Sequence, residues 1–279
     1  MNEPTAKRFA GKVAMVTGGG WNIGRAIAVR LAAEGAKVVV AARRAALLDE
    51  TVARITAAGG AALAVVADVT VAADMERAAR QAEDAFGPVD CCAAIAGGSG
   101  AHQPIDRVDP AEWARVVQVN LIGAFHTIRA VLPRMRERRA GTLLTCSGGG
   151  SWFPMLGEYY TAYAAAKAGI CRLTDQLAVE LLDAGIRVNC LQPGMVWHEE
   201  RERAVAAEEQ RTGVPHPQRA QNRPPERAAE LAAFLLADES APLTGRIASV
   251  DENWWRDPQQ VQAVAQTHHA YCLRRIDHL

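Results

Sequence analysis

Seven short apolar runs alternate along the chain with longer alanine-rich stretches. No other feature constrains the fold as much. The runs fall at 12–17, 37–42, 62–67, 89–94, 142–147, 187–191 and 246–251, and valine, alanine, leucine and cysteine dominate them. Such runs predict strands buried on both faces, and therefore a parallel sheet covered by helices. The intervening stretches predict helices at 23–34, 45–58, 71–86, 110–138, 161–184 and 228–237. Gly123 and Pro133 weaken the fourth of these, and Gly59-Gly60 stops the second. Right-handed crossovers between successive strands make the expected fold α/β and doubly wound. The expected sheet has seven mainly parallel strands with helices on both faces. No linker or repeat interrupts residues 8–252, so 1–279 is read as a single domain.

The totals exclude some function classes. Lys plus Arg and Asp plus Glu balance at 31 each, which offers no net field for nucleic acid or an anionic membrane. No apolar run approaches the ~20 residues that span a bilayer. The first residues hold no apolar signal core, so a cytosolic location is expected. Cysteines at 91, 92, 146, 171, 190 and 272 form no Cys-x-x-Cys pair and predict buried free thiols in a reducing compartment. His268, His269 and Cys272 lack a complete ligand set, so a polar tail and no metal are expected there.

Two stretches carry chemistry. The first strand runs into Thr17-Gly-Gly-Gly-Trp-Asn-Ile-Gly24 and then a helix. Glycines allow a pyrophosphate to approach the backbone, and the helix N-terminus offers free N–H groups to the anion. Gly18, Gly20, Trp21, Asn22, Ile23 and Gly24 are therefore cofactor-binding candidates. The second strand ends in Ala42-Arg43-Arg44. An acid at Ala42 would accept hydrogen bonds from an adenine ribose; two arginines suit a 2′-phosphate instead. NADP(H) is thus favoured, with NAD(H) as the alternative. Asp68, ending the third strand before Val69, suits an adenine amino group or a helix cap. The second stretch is Tyr163-Ala-Ala-Ala-Lys167 on a predicted helix. Spacing of four sets the phenol and the ammonium on one face, where the charge is expected to lower the phenol's pKa toward neutrality. A phenol so tuned is a general acid or base.

With these pieces in order, the chain resembles the short-chain dehydrogenase/reductase family. The resemblance is carried by Thr17-Gly18 through Gly24, Asp68-Val69, Ala96-Gly97, Asn120, Ser147, Tyr163-x-x-x-Lys167 and Pro193-Gly194-x-Val196, covering residues 8 to about 251. It implies a Rossmann-type domain and hydride transfer between a nicotinamide and a ketone or secondary alcohol. It implies further that Tyr163 moves the substrate proton, that Lys167 tunes it and holds the nicotinamide ribose, and that Asn120 positions a relay water. Pro193, Gly194 and Val196 would lie along the nicotinamide, and Ala96 and Gly97 would also border the cofactor.

Departures from the family pattern are specific. Asn22 stands for a glycine, Ala94-Ile95 for two asparagines, His198 for a threonine, and Asp251-Glu252-Asn253 for Asp-Gly-Gly. The family's catalytic serine is the second of a pair; a gapless alignment sets Ser147 at the first and Gly148 at the second. Ser147 is the leading candidate, Ser151 the next, and no serine at all the third. Two regions are expected to wall the substrate. Residues 151–160 carry Trp152, Phe153, Tyr159 and Tyr160, suited to an aromatic or bulky apolar substrate or to packing. Residues 197–225, rich in proline and charge, are read as a long lid loop whose arginines face water or an anion. The extension 254–279 predicts a short helix from Pro258, with Tyr271, Leu273 and Ile276 making apolar contacts, expected at a homodimer or homotetramer interface. Two other functions stay open: a dinucleotide-binding partner or regulator that no longer catalyses, and a cofactor-assisted isomerase or dehydratase.

Overall fold

The computed structural model describes residues 7–100, 102–155, 159–267 and 270–273. Its strands are β1 (Val13–Thr17), β2 (Lys37–Ala42), β3 (Ala61–Val66), β4 (Cys91–Ala94), β5 (Gly141–Cys146), β6 (Ile186–Gln192) and β7 (Ile247–Ser249). They form one sheet in the order β3-β2-β1-β4-β5-β6-β7. All six pairings are parallel. The chain crosses from β3 back over to β4 beside β1, and the crevice that opens there lies at the carboxyl ends of the strands.

Alternation along each strand feeds two cores. Ala14, Val16, Val38, Val40, Ala93 and Leu144 face one side, where helices α1 (Asn22–Ala33), α2 (Ala45–Ala57) and α8 (Pro225–Leu236) cover them with Ile27, Leu48, Leu231 and Leu235. Met15, Val39, Cys92, Leu143 and Val188 face the other. There α3 (Ala72–Phe86) and α5 (Gly123–Arg138) contribute Met75, Ala78, Ile128, Val131 and Met135. The long helix α6 (Thr161–Glu180) lies beside them. Cys91, Cys92, Cys146, Cys171 and Cys190 are buried and unpaired, as expected of free thiols, and burial pushes the Cys91 and Cys92 thiols up to about 12.

The predicted helix at 110–138 is continuous but not uniform. Helix α4 (Pro110–Val117) starts on an Asp109 cap, whose carboxylate accepts from the Ala111 N–H at 3.0 Å. A π-helical segment, Gln118–Ile122, then joins α4 to α5 and holds Asn120. Such insertions recur at functional sites. By length and composition these 29 residues suffice to cross a bilayer; in this fold Ile128, Val131 and Met135 of α5 pack against the sheet and α3.

One expectation about the C-terminal third needs correction. Residues 197–225 are not an extended loop. Helix α7 (Glu199–Thr212) fills half of them, begun by His198, whose Nδ1 accepts from the Arg201 N–H at 3.2 Å, and ended at Gly213 in the left-handed region. Glu199, Glu200 and Glu202 in its first turn and Arg211 in its last complement the helix dipole. The arginines of 197–225 are paired within it: Arg203 with Glu199, Arg211 with Glu208, and Arg219 with both Glu202 and Glu209. Arg201 reaches Gln218 and Arg223 reaches Asp251.

The extension is equally structured. Helix α9 (Pro258–Gln266) buries Val261 and Val264 in the first core together with Trp254 and Trp255. Glu252 arranges that turn, accepting from the Ser249 N–H at 3.0 Å and from Trp254 Nε1 at 2.9 Å. Tyr271 stacks on Trp254 at 4.8 Å, and its carbonyl accepts from the Ile247 N–H at 2.7 Å, covering the outer edge of β7. Leu273 packs beside Ile170, Cys171 and Cys190. The apolar contacts expected of Tyr271 and Leu273 are thus made with their own chain; Ile276, His268 and His269 lie outside the described residues.

Candidate active site

A cleft of about 460 Å³ runs across the carboxyl ends of the strands, from Arg43 and Arg44 at one end to Tyr163 and Lys167 at the other. The turn after β1 floors it. Asn22 takes a positive φ of 44°, so the residue standing for the family's glycine adopts the left-handed region that asparagine tolerates. Gly24 must lack a side chain, because a Cβ there would lie 2.2 Å from Gly18 O. Gly18, Gly20, Trp21 and Ile23 also border the cleft. The first turn of α1 has no side-chain cap, leaving its N–H groups for an anion. This is the cradle that a dinucleotide pyrophosphate fits.

At the Arg43 end, Ala42 provides no carboxylate, and Arg44 lies over the Trp21 ring at 5.7 Å. Asp68 is not a helix cap. Its Oδ1 accepts from the Thr70 N–H at 2.9 Å and the Thr70 hydroxyl at 2.8 Å. Burial opposes its ionisation, but these hydrogen bonds and the Arg43 charge outweigh it and hold the carboxyl below the usual range. Val69, Ala96 and Gly97 line the middle of the cleft, and Pro193 and Val196 its far wall. Gly194 does not border it. The polar link lost at Ala94-Ile95 is partly replaced by Thr17, whose hydroxyl oxygen accepts from the Ala96 N–H at 3.4 Å.

Asn120 sits fully buried behind the cleft. Its Nδ2 donates to Gly98 O at 2.8 Å and Val116 O at 2.9 Å, and its Oδ1 accepts from the Gly98 N–H at 3.3 Å. It clamps the loop after β4 rather than facing the cavity. Gly97 must be small for the same reason: a Cβ there would lie 2.5 Å from Asn120 Oδ1 and 3.4 Å from Lys167 Nζ.

At the Tyr163 end, Lys167 is buried and donates to Cys146 O at 2.8 Å, with its Nζ 5.4 Å from the Tyr163 ring centre. The expected lowering of the phenol's pKa is not the net result. Burial pushes the Tyr163 phenol up, and Lys167 only opposes that rise. Both candidate serines make hydrogen bonds of their own. Ser147 borders the cleft, but its hydroxyl donates across to β6, to Gln192 Oε1 at 2.8 Å and Leu191 O at 3.2 Å. Ser151 turns back on its own loop, donating to Gly148 O at 2.5 Å and accepting from the Gly148 N–H at 3.1 Å. Gly148 itself faces the phenol, and a Cβ on it would lie 2.2 Å from Tyr163 Oη.

Sequence reasoning missed Leu47, Ser99 and Val119, which also line the cleft. Ser99 follows the Ala96-Gly97 motif by two residues, and that proximity was the available signal. His198, noted for its departure, borders the cleft too. Trp152, Phe153 and Tyr159 are about half exposed beyond the tyrosine end; residues 156–158 lie outside the described residues.

Comparison with known proteins agrees with this geometry. The short chain dehydrogenase family pattern matches residues 12–209. Levodione reductase of Leifsonia aquatica is 35% identical over 267 residues, which cover 90% of this chain and 96% of the relative. 2-(S)-hydroxypropyl-CoM dehydrogenase 3 of Xanthobacter autotrophicus is 34% identical over 256 residues, covering 88% and 97%. A crystal structure of levodione reductase superposes with a TM-score of 0.78 at 31% identity, over 91% of this chain and 99% of that one. By its family pattern and by these relatives, this chain belongs to the short-chain dehydrogenase family of NAD(P)-dependent oxidoreductases, which act on alcohols and ketones.

Proposed function

We propose that the protein transfers hydride between NADP(H) and a ketone or secondary alcohol, with Tyr163 as the general acid or base. The observation that carries this reading is that the Tyr163 phenol, Lys167, Pro193 and Val196 line one cleft with the glycine turn. When bound, the nicotinamide supplies or takes the hydride. In reduction, Tyr163 Oη gives its proton to the substrate oxygen; in oxidation it takes that proton back. Lys167, fixed on Cys146 O, offsets part of the cost of a buried phenolate.

NADP(H) is preferred on two grounds: Ala42 leaves the ribose without an acidic partner, and Arg43 and Arg44 border that end as cations. The relatives named levodione reductase and 2-(S)-hydroxypropyl-CoM dehydrogenase support a small-molecule carbonyl or alcohol substrate. Exposed Trp152, Phe153 and Tyr159 favour an apolar or ring-bearing one. A homo-oligomer and a cytosolic location accompany this reading; exposed Phe125 on α5 and Val179 on α6 offer an apolar face for a second copy.

Gly148, a glycine facing the phenol in place of the family's serine, favours a second reading, a dinucleotide binder without turnover. Steady-state turnover of a ketone panel with NADPH and NADH separates them. The expected result is turnover preferring NADPH and lost at least 1000-fold, by order of magnitude, in Tyr163→Phe. Tight cofactor binding with no turnover on the panel would establish the second reading instead.

A further inference from the structure

A carbonyl oxygen has two lone pairs, and Tyr163 serves one of them. A second donor stabilises the alkoxide that develops as hydride arrives. Among the described residues, three hydroxyl side chains border the cleft: Ser99, Ser147 and Tyr163. Ser147 spends its proton on β6, at Gln192 Oε1 and Leu191 O. Ser151 is buried in its own loop against Gly148 O. Gly148 has no side chain, and Tyr163 Oη occupies the space where one would begin.

We propose that Ser99 donates the second hydrogen bond to the substrate oxygen, replacing the missing serine from the opposite loop, with His102 as its positioning residue. The proposal rests on the catalytic reading above. Ser99 lines the same cleft as Tyr163, on the loop after β4, two residues past Gly97, where an added Cβ would lie 3.4 Å from Lys167 Nζ. Ser99 Oγ lies 3.1 Å from His102 Nε2. With Nε2 protonated, the imidazole donates to Ser99 Oγ and leaves the serine proton free to point at the substrate. The His102 ring is itself held edge-on against Tyr160 at 3.9 Å, and Tyr160 lies 6.1 Å from Tyr163, so this pair stands on the tyrosine side of the cleft.

The test measures kcat, KM and cofactor Kd for Ser99→Ala, Ser99→Thr, His102→Phe and the Ser99→Ala/His102→Phe double variant. Expected for Ser99→Ala is a fall in kcat of about 100-fold with cofactor Kd unchanged. Ser99→Thr keeps the hydroxyl and most of the activity. His102→Phe keeps the ring against Tyr160 and lowers kcat about tenfold, and the double variant falls no further than Ser99→Ala. The inference is overturned if Ser99→Ala stays within twofold of wild type, or if it weakens cofactor binding as much as it lowers kcat. Activity that survives Tyr163→Phe, or a wild type without turnover, overturns the catalytic reading and this inference together. Loss in Tyr163→Phe beside an intact Ser99→Ala overturns this inference alone.

Discussion

Gly148→Ala is the sharpest perturbation of the site. The backbone at Gly148 is not in the left-handed region, so alanine meets no conformational penalty there. The new Cβ would lie 2.2 Å from Tyr163 Oη and 2.9 Å from its Cζ. Ordinary contact starts at 3.4 Å, so the hydroxyl must retreat by roughly 1 Å. A phenol tip can swing that far without disturbing either core, so the melting temperature should hold. The chemistry should not. A misplacement of about 1 Å at a reacting group costs on the order of 100-fold in rate, or about 2.7 kcal/mol in the barrier. The assay follows reduced-cofactor absorbance at saturating substrate and cofactor, with thermal melting and cofactor titration on the same sample. A Gly148→Ala enzyme within threefold of wild type, or faster, would refute the reasoning, because the phenol would then not depend on the space that glycine leaves.

Three other outcomes follow from the same contacts. Lys167→Met removes the charge that opposes the burial-driven rise of the Tyr163 phenol; the pH at which alcohol oxidation sets in should move upward, and an unshifted profile would deny Lys167 this role. Trp255→Ala empties a site that is 5% exposed beside Phe234 in the first core, so denaturant unfolding should show a loss of about 3 kcal/mol; a loss under about 1 kcal/mol would mean that the extension is not part of the core. Glu34 is buried between Arg8 and Arg30. Burial alone would raise its carboxyl, but their hydrogen bonds hold it below the usual range. A carboxylate depressed in the folded state stabilises above its unfolded pKa of ~4.3 and loses that contribution as pH falls through the folded value. Glu34→Gln should therefore lower stability near neutrality and show a shallower loss of stability in acid than wild type; equal acid sensitivity would exclude the linkage.

Much of the molecule was legible in the order of residues. Continuous apolar runs at seven places announced a parallel sheet because a strand buried on both faces has no room for alternating polar side chains. The glycine turn after β1 and the four-residue spacing of Tyr163 and Lys167 are local patterns, and local geometry carries them into the fold intact. Helix α7 was not legible because prolines at 215, 217, 224 and 225 mark the stretch as a loop, while strong helix formers before them favour a helix.

Other features depend on contacts between segments remote in sequence, and only the tertiary structure decided them. Ser147 turns its hydroxyl to Gln192 on β6, 45 residues away, so its neighbours in the chain say nothing of its direction. Tyr163 ends with a raised pKa because burial, a property of the whole fold, outweighs a lysine one turn along. Trp254 and Trp255 enter the core because Glu252 bends the chain back beneath α8, where apolar area remained to be covered. Periodicity and turn chemistry act over a few residues; the direction of a hydroxyl and the burial of a charge are settled by whichever distant element arrives to meet them.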